Sequence, residues 1–462
     1  MENTTILFFT SFHIVIWIIV YRIYRQEFDP FDPFYLSTGL YALIFIYAPM
    51  VWIKRGQTSY QGVEVMEFLP EATIVFNFCY AVFAFSSFLF KTKAERVVLN
   101  KKKIVEEESN FIDFLNDNQT VDYITKLGAI CFLVSILLSL LYYSLTGRGL
   151  MFMLTLGQLG EKDKSQNVTG IYFLMQFIRS AIPGIMILLA FSNKHRFLIH
   201  IGAVILCLVC VSTGSRNLAL CVMLAIIVYK YLSAGNRPNM LTIAAGIVLI
   251  YLFVGFIGIF RSTIKSGNTI DVSTMDSDSI FSAFMFNVEI FYPFYTLVGY
   301  LSRGIIQYHY GLGIINIPLQ FIPHILWKSK PATIGLTSFE AMYGDSMGGA
   351  AYPNIGEFYY EFGLIGAMFG MILFGIFSQK YFVFAKKTKN KISMLEYGIF
   401  FGYIMQFICR GHFASWALDF VFMFGPIWFL KKQLVNRYEL WTRKDKDIDQ
   451  KRIILNNSNY SV

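Results

Sequence analysis

The sequence predicts an all-α, polytopic integral membrane protein with about eleven transmembrane helices and one large external loop. Three observations carry that prediction. The 462 residues are 55% hydrophobic and 18% aromatic but only 15% charged, with a mean hydropathy of +0.52. A soluble domain carries about 25% charged residues, so a water-soluble enzyme is excluded. Apolar runs near the length of about 20 residues that crosses a bilayer as a helix recur along the chain. The net charge of +9 is gathered in short basic runs between them, 91–103, 386–391 and 431–452. The positive-inside rule expects such runs in cytoplasmic loops, so orientation rather than nucleic-acid binding accounts for the cations.

In chain order the first span is read over 5–21, because that run lacks the basic start and the A-x-A site of a cleaved signal peptide. Further spans are read at 34–53, 70–90, 127–145, 171–191, 197–212, 217–232 and 241–260. Pro183 and Gly184 in the fifth are ordinary inside membrane helices. Cys207 and Cys210 form a C-x-x-C in an apolar helix, and with Cys79, Cys131, Cys221 and Cys409 they read as small hydrophobes. After the eighth span, 261–354 is far longer than an ordinary connection, and long loops of this kind are commonly functional. Within it, 280–300 is apolar enough to be a twelfth span but carries Asn287, Glu289 and Pro293. Its partner, 314–327, is short and holds Pro318 and Pro323, so an interfacial or re-entrant pair is expected. Spans at 355–381, 393–410 and 414–430 follow, and 431–462 is a basic cytoplasmic tail. Four regions result: helices to 260, the loop 261–354, helices over 355–430, and the tail. Basic loops inside place the N-terminus outside, with Lys54 and Arg55 the exception.

Ionisable residues at membrane depth are expensive, which makes each a candidate for function. Arg179, Glu357, Glu361, Glu396 and Asp419 are of this kind. A second pattern is more informative. Arg216 in STGSR, Arg261 in GIFRSTIK, Arg303 in LSRG and Arg410 beside His412 all fall at the external boundary, against the positive-inside bias. One arginine at a helix end can snorkel to lipid headgroups. Four that converge fit an anion, because a guanidinium fork suits phosphate oxygens. The Thr213 to Arg216 turn adds backbone N–H groups at a helix N-terminus. Glu357 and His324 are the candidate proton acceptors. Glu361, one helical turn beyond Glu357, is expected to support it, and Tyr359, Tyr360 and Phe362 read as an aromatic belt. Asp276 and Asp278 form D-S-D in a Ser/Thr-rich linker, which is not a metal pattern, and there is no Walker or Rossmann motif. No metal or other cofactor is expected.

The STGSR turn, an arginine just after the next span, one long late external loop and then PNIGEFYYEFGLIGAMFG together resemble the O-antigen polymerases, the oligosaccharide repeat unit polymerases of the Wzy type. The resemblance runs from about the fifth span to the eleventh. It implies a GT-C-like glycosyltransferase of the bacterial inner membrane. Such an enzyme joins undecaprenyl-diphosphate-linked oligosaccharides on the periplasmic face, among membrane lipids and beside a chain-length regulator protein. It also implies phosphate-binding roles for Arg216 and Arg261, with Arg303 as a third, and identifies Glu357 as the glutamate of the GEFY motif. Two alternatives stay open: an O-antigen ligase, which shares the arginine and histidine logic, and an exporter of lipid-linked oligosaccharide. Transporters place charge along a central path, whereas these charges gather at one end.

Overall fold

The computed structural model describes residues 2–25, 28–54, 59–60, 63–64, 66–99, 110–145, 172–212, 216–235, 292–302, 308–320, 353–388 and 390–458, with a few single positions between. The described chain is almost wholly helical. The exception is a two-stranded hairpin, β1 (Ser59–Tyr60) paired antiparallel with β2 (Val63–Glu64).

In order, the helices are α1 (Glu2–Arg25), α2 (Pro33–Ala42), α3 (Ala48–Lys54), α4 (Leu69–Leu99), α5 (Asn118–Leu145), α6 (Tyr172–Gln176), α7 (Ile178–Phe191), α8 (Arg196–Ser212) and α9 (Arg216–Ala234). They continue with α10 (Tyr292–Ser302), α11 (Leu312–Ile315), α12 (Ile317–Gln320), α13 (Asn354–Thr388), α14 (Lys391–Cys409) and α15 (Phe413–Ser458). Eight stretches are long and apolar enough to cross a membrane, and two shorter apolar helices, Thr10–Tyr24 and Arg196–Val211, fall on the first and sixth expected spans. Ten of the expected positions therefore coincide with apolar helix. The span at 241–260 lies largely outside the described residues. The second span is not one continuous α-helix, because α2 and α3 are joined by a π-helical turn over Leu43–Tyr47.

The candidate twelfth span is described only from residue 292. There α10 has 11 residues and is buried through Phe294, Leu297 and Val298. Of 314–327, the described part is the two short helical turns α11 and α12.

Small residues set the helix pairing. A Cβ on Gly402 of α14 would lie 2.5 Å from the Cys221 carbonyl of α9, and one on Gly398 would lie 2.8 Å from the Ala225 carbonyl. The two backbones thus touch along a small-xxx-small seam, the way helices associate in lipid, where no hydrophobic force pulls them together. Gly375 plays the same part between α13 and α4, with the Phe83 carbonyl 2.8 Å from its would-be Cβ. Elsewhere α5 packs on α7, and α7 on α15.

The two ends of this bundle differ in chemistry. At one end lie the C-termini of α1, α4, α9 and α13 and the N-terminus of α14, around the sequence FDPFDP. Asp32, fully buried, caps α2 by accepting the Phe34 N–H at 3.0 Å. It also accepts from Arg22 Nη2 at 3.1 Å, Lys91 Nζ at 2.8 Å and Gln379 Nε2 at 2.7 Å. Burial pushes its carboxyl upward, but Arg22 and Lys91 outweigh that and hold it below the usual carboxylate range. Asp29 accepts from Lys386 at 2.7 Å and from the Tyr231 hydroxyl at 3.2 Å, and the Tyr397 hydroxyl donates to the Phe31 carbonyl at 2.6 Å. Six helices are tied together there. At the opposite end, the N-termini of α9, α13 and α15 meet the C-terminus of α14.

Candidate active site

Helix α13 starts where Pro353 leaves its carbonyl to the N–H groups of Gly356 and Glu357, at 2.8 and 3.2 Å. Asn354 in this first turn is fully buried and exchanges hydrogen bonds of 2.9 and 3.1 Å with the Tyr41 hydroxyl of α2. One turn on, Glu357 is 2% exposed, and its Oε1 accepts the Phe413 N–H at 2.9 Å. A carboxylate placed on the first residue of α15 faces the positive end of that helix.

The residues leading into α15 form a tight turn of Arg410, Gly411 and His412. Arg410 N–H still donates to the Gln406 carbonyl at 2.9 Å, closing α14. A Cβ on Gly411 would fall 2.6 Å from Asn354 Cα, so glycine is needed for the turn to lie against the start of α13. His412 caps α15: its Nδ1 accepts the Ser415 N–H at 3.0 Å, and its carbonyl accepts the Trp416 N–H at 3.0 Å. Burial, followed by the neighbouring Arg410 charge, lowers the His412 imidazole to about 4. Helix α9 joins the same place through Asn217, whose Nδ2 donates to Gln406 Oε1 at 2.9 Å. Arg216 is the first residue of α9, so its backbone lies one position from this contact.

Three residues that the sequence marks as functional, Arg216, Glu357 and Arg410, thus come from distant parts of the chain to one end of the bundle. Arg261, Arg303 and His324 lie outside the described residues, Arg303 directly after the last residue of α10.

Glu361 does not do what its spacing suggests. Its carboxylate accepts the N–H groups of Gly311 at 2.9 Å and Gly313 at 3.1 Å. Helical geometry breaks just after it, at Phe362 and at Gly363, which has φ +65°. A break strands carbonyls that would otherwise be bonded four residues on. The Tyr360 and Glu361 carbonyls are satisfied by the N–H groups of His309 at 3.1 Å and Tyr310 at 2.8 Å. Glu361 therefore docks the 308–313 segment on the break. The aromatic belt is corrected in part. Tyr359 and Tyr360 are buried, with the Tyr360 hydroxyl 2.8 Å from His309 Nε2, whereas Phe362 is exposed as a belt residue should be.

The remaining intramembrane charges are partnered. Arg179 of α7 pairs with the fully buried Asp419 of α15 and also donates to Gln176, while Asp419 accepts from the Tyr403 hydroxyl at 2.9 Å. Glu396 pairs with Lys431 and accepts from the Tyr381 hydroxyl at 3.2 Å and Trp428 Nε1 at 3.3 Å. Both are interhelical staples by geometry. Among the described residues no three His, Cys, Asp or Glu side chains gather as metal ligands would.

The profile of the O-antigen polysaccharide polymerase Wzy family matches residues 1–437. The chain belongs to this family. The match takes in the first four spans, which carry no distinguishing motif, and ends within α15. No curated protein and no solved structure matches the chain. Membership carries O-antigen polymerisation as the general function, with a lipid-linked oligosaccharide as substrate in a membrane setting. Sequence reasoning sets His412 beside Arg410 without a role in this O-antigen polymerase, and it passes over Asn354, Gln406 and Asn217. Each of the three is a polar residue at a helix end inside an apolar run, which is the one signal that could have raised them.

Proposed function

We propose that the end of the bundle bearing Arg216, Arg410 and Glu357 is the polymerase centre and faces the periplasm of the bacterial inner membrane. A non-reducing-end hydroxyl of one undecaprenyl-diphosphate-linked unit attacks the anomeric carbon at the reducing end of a growing chain. The new glycosidic C–O bond forms as the bond from that carbon to the diphosphate oxygen breaks, and undecaprenyl diphosphate departs with the electron pair. Attack opposite the leaving group inverts the anomeric configuration. Arg216, Arg261 and Arg410, with Arg303, stabilise the charge that builds on the diphosphate, the kind of preorganised electrostatics that dominates such catalysis. Glu357 takes the hydroxyl proton, with His324 in the long loop as the second candidate acceptor.

The observation that supports this reading most is the meeting of the 410–412 turn with the first turns of α13 and α9, through the Phe413 to Glu357 and Asn217 to Gln406 hydrogen bonds of 2.9 Å each. The outward orientation is supported by the other end, where Lys91, Lys386, Lys387 and Lys391 collect. Replacing Arg216 or Arg410 by alanine should lower polymerisation on the order of 100-fold. Cells carrying either variant should display single-repeat surface glycan while the protein still inserts. Long-chain glycan persisting in both would overturn the assignment. Loss of a ligase would instead leave long chains on the carrier lipid.

A further inference from the structure

We propose that Tyr41 of α2 is a positioning residue of this centre. Through Asn354, its hydroxyl fixes how the first turn of α13 and the 410–412 turn lie against each other, and with that the placement of Glu357 relative to Arg410. The inference rests on the reading that this end of the bundle is the polymerase centre.

A buried tyrosine hydroxyl needs a hydrogen-bond partner, and Tyr41, which is fully buried, finds its own more than 300 positions away in the sequence. The hydroxyl donates to Asn354 Oδ1 at 3.1 Å and accepts from Asn354 Nδ2 at 2.9 Å. Oδ1 also accepts the Ile355 N–H at 3.0 Å, one of the donors that a helix start leaves without an intrahelical partner. Both ends of the Asn354 amide are thus engaged, and the phenol that holds them is itself fixed. Its ring lies 5.9 Å from that of Phe83, 6.4 Å from Phe76 and 6.5 Å from Tyr80, all on α4. The π-helical turn that interrupts the second span begins at Leu43, directly after α2, and π-helical turns gather at functional sites.

The backbone of Asn354 carries the turn. A Cβ on Gly411 would stand 2.6 Å from Asn354 Cα and 2.7 Å from its nitrogen, so main chain rests on main chain with no side chain between to absorb a shift. Arg410 precedes this contact directly. Just after it, the Phe413 N–H donates to Glu357 at 2.9 Å, and Glu357 itself stands in the turn of α13 that Asn354 begins. Arg410 and Glu357 therefore take their places from one residue, and that residue is tied to α2. Joining two bound units depends on such placement, since a misplacement of about 1 Å can cost on the order of 100-fold in rate. The early spans, which carry no distinguishing motif, so acquire a part in the centre: α2, backed by α4, is the support against which it is aligned.

Two substitutions on α2 separate positioning from stability. Tyr41→Phe deletes the hydroxyl and keeps the ring. Thr38→Val, on the same helix, deletes a buried hydroxyl that bonds Tyr80 at 3.2 Å and leaves the start of α13 alone. The full-length protein in lipid nanodiscs is assayed with the lipid-linked repeat unit extracted from cells that lack the polymerase, and thermal unfolding is recorded for each variant. Tyr41→Phe should lower kcat about tenfold with KM within about twofold of wild type, the pattern of lost geometry rather than lost binding. Thr38→Val should unfold as early as Tyr41→Phe yet keep kcat within about twofold of wild type. Equal kcat in the two variants would overturn the proposal and leave Tyr41 as a packing residue. If Tyr41→Phe is not recovered folded, Gly411→Ala tests the same link from the other side. By pushing the turn off Asn354 it should lower kcat about tenfold with little change in KM, and wild-type turnover there would equally overturn the proposal. Arg216→Ala and Arg410→Ala are measured alongside. If they polymerise like wild type, the reading of the site has failed and the inference with it. If they lose activity while Tyr41→Phe matches Thr38→Val, only the inference about Tyr41 has failed.

Discussion

Glu357 and Glu361 stand one helical turn apart in GEFYYEFG, and spacing alone assigns them to one face of one helix. Their partners differ: Glu357 meets the start of α15, and Glu361 meets the N–H groups of Gly311 and Gly313. Residue type told that both carboxylates matter. It did not tell which backbone each would hold, because those partners lie about 50 residues away in either direction. His412 carries a pH dependence with a definite sign. Its imidazole is held near 4 in the fold against 6.5 ordinarily, so the unfolded chain takes up a proton that the folded chain does not. The resulting stability is complete above about pH 6.5 and is lost as pH falls toward 4. His309, also held low by burial, acts in the same direction. Thermal unfolding should therefore shift to lower temperature between pH 7.5 and pH 5, by less in His412→Asn than in wild type. Equal shifts would remove His412 from the balance.

At the level of elements, hydrophobic runs located nearly all the described long helices, since a bilayer demands apolar length and little else. The interruptions were not legible in the same way. The break at Phe362 and Gly363 sits inside a run that reads as continuous, and its only local signal is a glycine able to take φ +65°. The π-helical turn at Leu43–Tyr47 has no signal in LIFIY at all. The α9 and α14 seam carries a more direct test. A leucine in place of Gly402 would drive its side chain into the Cys221 backbone, whose carbonyl is already 2.5 Å from a Cβ there. Overpacking of this kind costs about 1–3 kcal/mol and would part the helices that bear Arg216 and Arg410. Gly402→Leu should lower both the unfolding temperature and polymer length, whereas Gly425→Leu, at a position open around its Cβ, should disturb neither.

For the whole molecule, composition identified a membrane protein and charge runs distinguished its two ends. Neither disclosed the Asp32 network, because an aspartate between basic helix ends looks like loop until coordinates show Arg22, Lys91 and Gln379 converging on it. Removing one partner of a buried ion pair costs about 3–5 kcal/mol, since it leaves the other charge uncompensated. Asp32→Asn should accordingly reduce the amount of folded protein recovered in membranes, far more than Asp122→Asn, whose i,i+4 pair with Lys126 is exposed. Comparable recovery of the two would show that the network contributes little. The account as a whole depends on the opposite end, where the N-termini of α9, α13 and α15 meet. An electron cryomicroscopy map of the protein in nanodiscs with undecaprenyl diphosphate tests it most directly. The account predicts diphosphate density bounded by Arg216, the 410–412 turn and the first turn of α13. Density among Arg22, Lys91 and Lys386, or against the outer surface of the bundle away from that turn, would contradict it.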